Sequence, residues 1–155
     1  ELSWFCFSIG IVFWLVLLTI IMYRLFFHEP LPARMTPMLF ILLAPPSVGF
    51  VSYTGLVGGL DNFARVIYYI ALFLGLLLAL NMFRFIKVPF YISSWAYSFP
   101  LAALTIASMK MFHFTASPFF QFISILLLCL LTVLLVWLVV RTVKSIFGAE
   151  LCRPE

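Results

Sequence analysis

The chain has 155 residues, of which 66% are hydrophobic and 9% charged, with a formal net charge of +4 and a mean hydropathy of +1.24. Water-soluble domains use far fewer apolar residues, and disordered chains need low hydrophobicity and high charge. Both classes are excluded, and what remains is a protein whose solvent is lipid.

A bilayer core about 30 Å thick takes about 20 apolar residues per helical span, and a charge at its centre costs about 3 kcal/mol. Five uncharged runs meet this requirement, at residues 2–23, 35–60, 66–83, 88–109 and 111–140. They are apolar on every side, without the period-two alternation of barrel strands, so the spanning unit is the helix. The fold class is therefore all-α integral membrane, with helices over about 2–27, 36–57, 61–86, 88–113 and 117–147 in one transmembrane domain. The first run lacks a basic n-region and a small-residue cleavage site, which makes it a span and not a targeting peptide. The chain begins without methionine at the edge of a helix, and the expectation is that further sequence precedes it.

Local chemistry marks the helix ends. Glu29, Pro30 and Pro32 make a stiff connection after the first helix. Thr36 before Pro37 and Ser117 before Pro118 each set an N-cap hydroxyl ahead of a proline whose missing N–H costs nothing in a first turn. Gly58 and Gly59 end the second helix, and Asp61 is placed to cap the third and to pair with Arg65. Across these ends, Arg24, Arg34, Arg84, Lys87, Arg141, Lys144 and Arg153 fall on one side and only Arg65 and Lys110 on the other. The bias predicts a cytoplasmic C-terminus and an external Glu1.

The spans divide by composition. The first, third and fifth are almost entirely Leu, Phe, Val and Ile, as suits a lipid-facing perimeter. The second holds Pro45, Pro46, Ser47, Gly49, Ser52 and Thr54, and the fourth holds Ser94, Ser98, Pro100, Thr105 and Ser108. An internal proline frees backbone carbonyls, which is tolerable only beside other helices, hydroxyls or water, so these two helices are predicted to lie inside. Pro45, Pro46, Ser47, Ser94, Ser98, Pro100 and Thr105 are the candidate lining or kink residues of a pore. The alternative is that the small residues simply allow close helix packing. The pattern recurs: Arg34 to Lys87 spans 53 positions and Pro46 to Pro100 spans 54, which reads as a tandem helical-hairpin repeat.

Other chemistries find no support. Cys6, Cys129 and Cys152 are far apart and read as buried apolar residues, and with His28 and His113 they form no metal-ligand spacing. No catalytic pairing, cofactor motif or basic nucleic-acid stripe is present, and all five acids lie outside the spans. Without an intramembrane carboxylate the inner helices offer no cation site, while Lys110 at one mouth and Arg84 and Lys87 at the other would concentrate anions. The predicted cargo is an anion. The competing explanation for these bases is topology and snorkelling alone.

The segments Leu43-Ala44-Pro45-Pro46-Ser47-Val48 and Trp95-Ala96-Tyr97-Ser98-Phe99-Pro100-Leu101, with Glu29 and Pro30, resemble the family of bacterial tellurite-resistance TehA proteins, C4-dicarboxylate (malic acid) transporters and plant slow-type anion channels. The likeness extends over nearly the whole chain. It implies ten helices in five hairpins around a pseudo-fivefold axis, proline-kinked inner helices forming the pore, and a homotrimer in the plasma membrane, such as a bacterial inner membrane. This chain then corresponds to helices six to ten, the C-terminal half, with the N-terminal half of the same protein completing the pore. The resemblance also implies that Phe99 is the pore gate; proline follows it where the bacterial type has glycine, which stiffens the turn. Tyr97 and Trp95 are read as pointing elsewhere on that helix. By residue type alone, one phenylalanine among 19 reads as a packing residue, and only the resemblance assigns Phe99 the gate. The implied function is an anion channel or uniporter for small anions such as chloride, nitrate or malate, needing no cofactor; the alternatives are a coupled dicarboxylate or tellurite carrier and a non-transporting membrane scaffold.

Overall fold

The computed structural model describes residues 1–28, 39–81 and 90–147, and every regular element among them is helical. In chain order these are α1 (Leu2–Phe27), α2 (Ala44–Val57), α3 (Asn62–Leu80), α4 (Ser98–Thr115) and α5 (Pro118–Phe147). A 3-10 turn at residues 39–43 leads into α2 and another, Ile92–Tyr97, leads into α4. Glu29, Pro30, Pro32, the Thr36–Pro37 cap, Arg34, Arg84, Lys87, Cys152 and Arg153 lie outside the described residues.

Among the described residues, four helices are long and apolar enough to cross a membrane: Leu2–Phe27, Leu39–Val57, Asn62–Leu80 and Pro118–Phe147. The fourth uncharged run, expected to be a fifth span, instead yields the 18-residue α4 behind its 3-10 turn. This helix carries Lys110, His113 and four hydroxyl residues, and seven of its 18 residues are buried. A helix partly packed against protein does not need an apolar surface all round.

Helix ends follow local chemistry. Asp61 Oδ1 accepts the Ala64 N–H at 2.8 Å and caps α3, while its Oδ2 accepts the Tyr53 hydroxyl. These two bonds, the backbone one foremost, hold the Asp61 carboxyl below the usual carboxylate range. The side chain that meets the Asp61 carboxylate is thus Tyr53, where spacing suggested Arg65, whose backbone N–H instead donates to the Asp61 carbonyl at 3.1 Å. Gly58 ends α2 at φ 74°, a left-handed conformation that costs glycine nothing. Pro118 opens α5 in the first turn, with the Ser117 carbonyl accepting from Phe120 and Gln121.

Burial sorts the helices. Only Trp14 is buried on α1, and only Phe120, Ser124 and Leu138 on α5, whereas α2, α3 and α4 bury six, six and seven residues. The two proline-bearing helices pack on each other, α3 packs on α2, and α5 packs along α4. One core cluster joins Phe50, Ala64, Ile67, Tyr68, Ala107, Met111 and Phe120; a second joins Leu43, Ala71, Leu74, Leu78 and Leu104. The third helix exposes Phe63, Val66, Tyr69, Phe73 and Leu76 on one face, in keeping with the one-sided perimeter role read from its composition, and packs with the other. Its Ala64, Tyr68, Ala71, Leu74 and Leu78 recur at three- and four-residue spacing and form one buried face. Cys6 and Cys129 depart from expectation: both are free thiols on exposed helix faces.

Candidate functional site

Each inner helix changes type at its prolines. Pro45 and Pro46 lack the amide hydrogens that the carbonyls of residues 41 and 42 would take in an α-helix, so the chain stays in a 3-10 turn until α2 begins. Pro100 likewise offers no hydrogen to the Ala96 carbonyl, and its α-helix begins at Ser98. The prolines therefore sit in first turns, where 3-10 geometry gives way to α, and do not kink a continuous α-helix. The two 3-10 turns end at residues 43 and 97 and the α-helices begin at 44 and 98, so both transitions recur after 54 residues.

At the offset of 54, five pairs of side chains match in burial. Leu43 and Tyr97, Pro46 and Pro100, Gly49 and Ala103, Phe50 and Leu104, and Thr54 and Ser108 are pairs separated by 54, and all ten residues are buried. On the other side, Ile41, Pro45, Val48, Ser52 and Gly55 are exposed or half-buried, and so are their counterparts Trp95, Phe99, Ala102, Ile106 and Met109. Their spacing of three and four residues makes each set a stripe along one helix face. The two inner helices thus present matching stripes, each approached by a neighbour: Trp95 bonds to Thr142 of α5, and Ser52 and Gly55 line a cavity with Ser3, Cys6 and Phe7 of α1.

The candidate residues divide between these sides. Phe99 lies on the open stripe, 63% exposed, one residue before the buried Pro100. Pro45, its counterpart on α2, is half-buried. Ser47, Ser94 and Thr105 are buried instead, each bonded within its own turn: Ser47 Oγ donates to the Leu43 carbonyl and Thr105 Oγ1 to the Leu101 carbonyl, both at 2.7 Å. Ser94 Oγ accepts the Tyr91 N–H at 3.2 Å, and half-buried Ser98 donates to the Trp95 carbonyl at 2.7 Å. In an apolar medium, a hydroxyl is best satisfied by the carbonyl one turn back, which turns it away from an open face.

Lys110 crosses between the inner helices. Its Nζ donates to the Val51 carbonyl at 3.0 Å, and a Cβ added at Gly55 would lie 3.8 Å from that nitrogen. The ammonium therefore sits beside the open stripe of α2, in the C-terminal half of a helix whose dipole favours a cation. Lys87 lies outside the described residues.

Two positions escaped the sequence reading. Trp95, expected elsewhere on its helix, is on the open side with Phe99, because a four-residue step returns to the same face. Tyr68 is fully buried, and its hydroxyl donates to Ser108 Oγ at 3.1 Å, tying α3 to α4. Applying the offset of 54 at every position, and not to the prolines alone, would have found the stripe.

A family model described as voltage-dependent anion channel matches residues 1–143. The S-type anion channel SLAH3 of Arabidopsis thaliana is 33% identical over 143 residues, covering 92% of this chain and 22% of that protein. The guard cell S-type anion channel SLAC1 of the same plant is 28% identical over 110 residues, covering 71% and 20%. An uncharacterized transporter of Methanocaldococcus jannaschii, MJ0762, is 24% identical over 166 aligned positions, covering 99% and 48%. The chain thus spans less than half the length of these relatives. With apolar membrane helices and a match over nearly its whole length, the chain belongs to the voltage-dependent anion channel family.

Proposed function

We propose that this chain forms part of a passive anion channel or uniporter, whose pore is lined by the equivalent open stripes of α2 and α4 and closed by Phe99. The observation that carries this reading is the repeat itself. Two inner helices expose matching faces at a constant offset, as expected where similar units surround a common axis. Phe99 projects from one of those faces at the start of α4. An apolar ring in a narrow passage excludes a hydrated ion and offers it no hydrogen bond, so conduction requires the ring to move.

In this arrangement the chain supplies five of ten helices, the N-terminal half supplies the other three inner ones, and the protein is a homotrimer of the plasma membrane with a cytoplasmic C-terminus. The S-type anion channels among the relatives support an anion as cargo, which this reading takes to be a small one such as chloride, nitrate or malate, and Lys110 beside the α2 stripe supplies an attractive field. The field is testable through its screening, since the Debye length is about 30 Å at 0.01 M salt and about 3 Å at 1 M. Lys110→Gln in the intact protein should lower anion flux severalfold at low ionic strength and leave it near wild type at high ionic strength. Equal flux at both would make Lys110 solely a structural tie between α4 and α2.

A further inference from the structure

We propose that the Trp95–Thr142 hydrogen bond is the latch that holds the Phe99 gate closed, with α5 as its fixed post. The proposal rests on the gate reading above and adds the residues that set the ring's position. The 3-10 turn Ile92–Tyr97 runs directly into the first turn of α4, where Phe99 is the second residue. Trp95 Nε1 donates to Thr142 Oγ1 at 3.1 Å, across 47 positions of sequence. The Ser98 hydroxyl donates to the Trp95 carbonyl at 2.7 Å, so the same residue is fastened forward to the start of the gate's helix.

The hydrogen economy of Thr142 makes this bond directional. Its one hydroxyl hydrogen goes to the Leu138 carbonyl at 2.8 Å, which leaves an oxygen lone pair for the indole N–H, a group that can only donate. With the hydrogen of Thr142 committed to Leu138, its oxygen and the indole N–H of Trp95 are matched acceptor and donor, so the two groups hold each other in register. The neighbouring contacts join the same two segments: the Phe90 ring meets Trp137 edge to face with centroids 5.9 Å apart, and the Arg141 guanidinium lies 5.7 Å from the Phe90 centroid. The segment leading to the gate is therefore anchored to the last turns of α5, while Phe99 itself projects free. A ring that must rotate needs a backbone that can shift, and this anchor opposes the shift.

The test compares Thr142→Val, which keeps the shape and loses the acceptor, with Thr142→Ser, which keeps the acceptor. Both are read in the intact protein in liposomes loaded with chloride, with single-channel recording. Thr142→Val is expected to raise basal flux about fivefold, the equilibrium factor of one ordinary hydrogen bond, through open probability at unchanged unitary conductance. Trp95→Phe should do the same, Trp95→Phe with Thr142→Val should add nothing further, and Thr142→Ser should behave as wild type. Wild-type flux in Thr142→Val, in a protein where Phe99→Ala raises flux, overturns the latch and leaves the gate standing. No rise in either variant overturns both.

Discussion

Phe99→Ala in the intact protein is expected to raise basal anion flux by an order of magnitude, with little loss of stability. The two halves of that expectation come from one fact: the side chain is 63% exposed at the start of α4, and no aromatic ring among the described residues stacks on it. Truncating a buried phenylalanine costs about 3–5 kcal/mol because a cavity remains where packing was lost. Truncating an exposed one removes few contacts, so the melting temperature in detergent should stay within a few degrees of wild type. If the ring occupies the passage, its removal opens a gap that water and anions can enter. Phe50→Ala is the control, since Phe50 is fully buried between α2 and the core and should lose stability without gaining conductance. A well-folded Phe99→Ala protein with wild-type flux would remove Phe99 from the gate.

Gly75→Val is expected to destabilise the protein by about 1–3 kcal/mol, the range for overpacking a filled core. A Cβ at Gly75 would lie 2.9 Å from Leu104 Cδ2 and 3.7 Å from Leu43 Cδ1. Both leucines are buried in the cluster that seals α3 against the inner helices, so the Leu104 side chain must shift within a packed cluster to admit the new one. Gly49→Ala makes the contrast: its Cβ would meet Ile11 Cδ1 at 3.5 Å and Ile67 Cγ2 at 3.8 Å, which is ordinary contact. Thermal unfolding in detergent should therefore show a clear drop for Gly75→Val and none for Gly49→Ala. Equal stability of the two would mean that the α3–α4 seam can open at small cost.

The membrane class and the position of the inner helices were legible because bilayer chemistry forces both onto composition. A charge-free run must be a helix, and a helix with prolines and hydroxyls must be shielded. Which face of α3 is buried was not legible in the same way, because that face is built from Ala64, Ala71 and Leu74, residue types that suit lipid as well as protein. Hydroxyls were the misleading signal at the site. Ser47 and Thr105 drew attention as polar groups for a pore, yet each has a carbonyl four residues back that satisfies it, and both are turned into the helix contacts. Phe99 carries no mark of its own among 19 phenylalanines; only the repeat and the family likeness single it out. The Trp95–Thr142 pair is a tertiary contact between residues far apart in sequence, and no local pattern announces it.

Passive anion conduction is tested most directly by the reversal potential of the intact protein in planar bilayers or liposomes under an anion gradient, with and without a superimposed pH gradient. The two described acids, Glu1 and Asp61, both lie outside the helices, so among the described residues no carboxylate is placed to carry a coupled proton through the membrane. The expected result is a reversal potential that follows the anion gradient and does not move when the pH gradient is applied. A reversal potential that shifts with the pH gradient, or a current that vanishes without one, would contradict the channel reading and establish a coupled carrier.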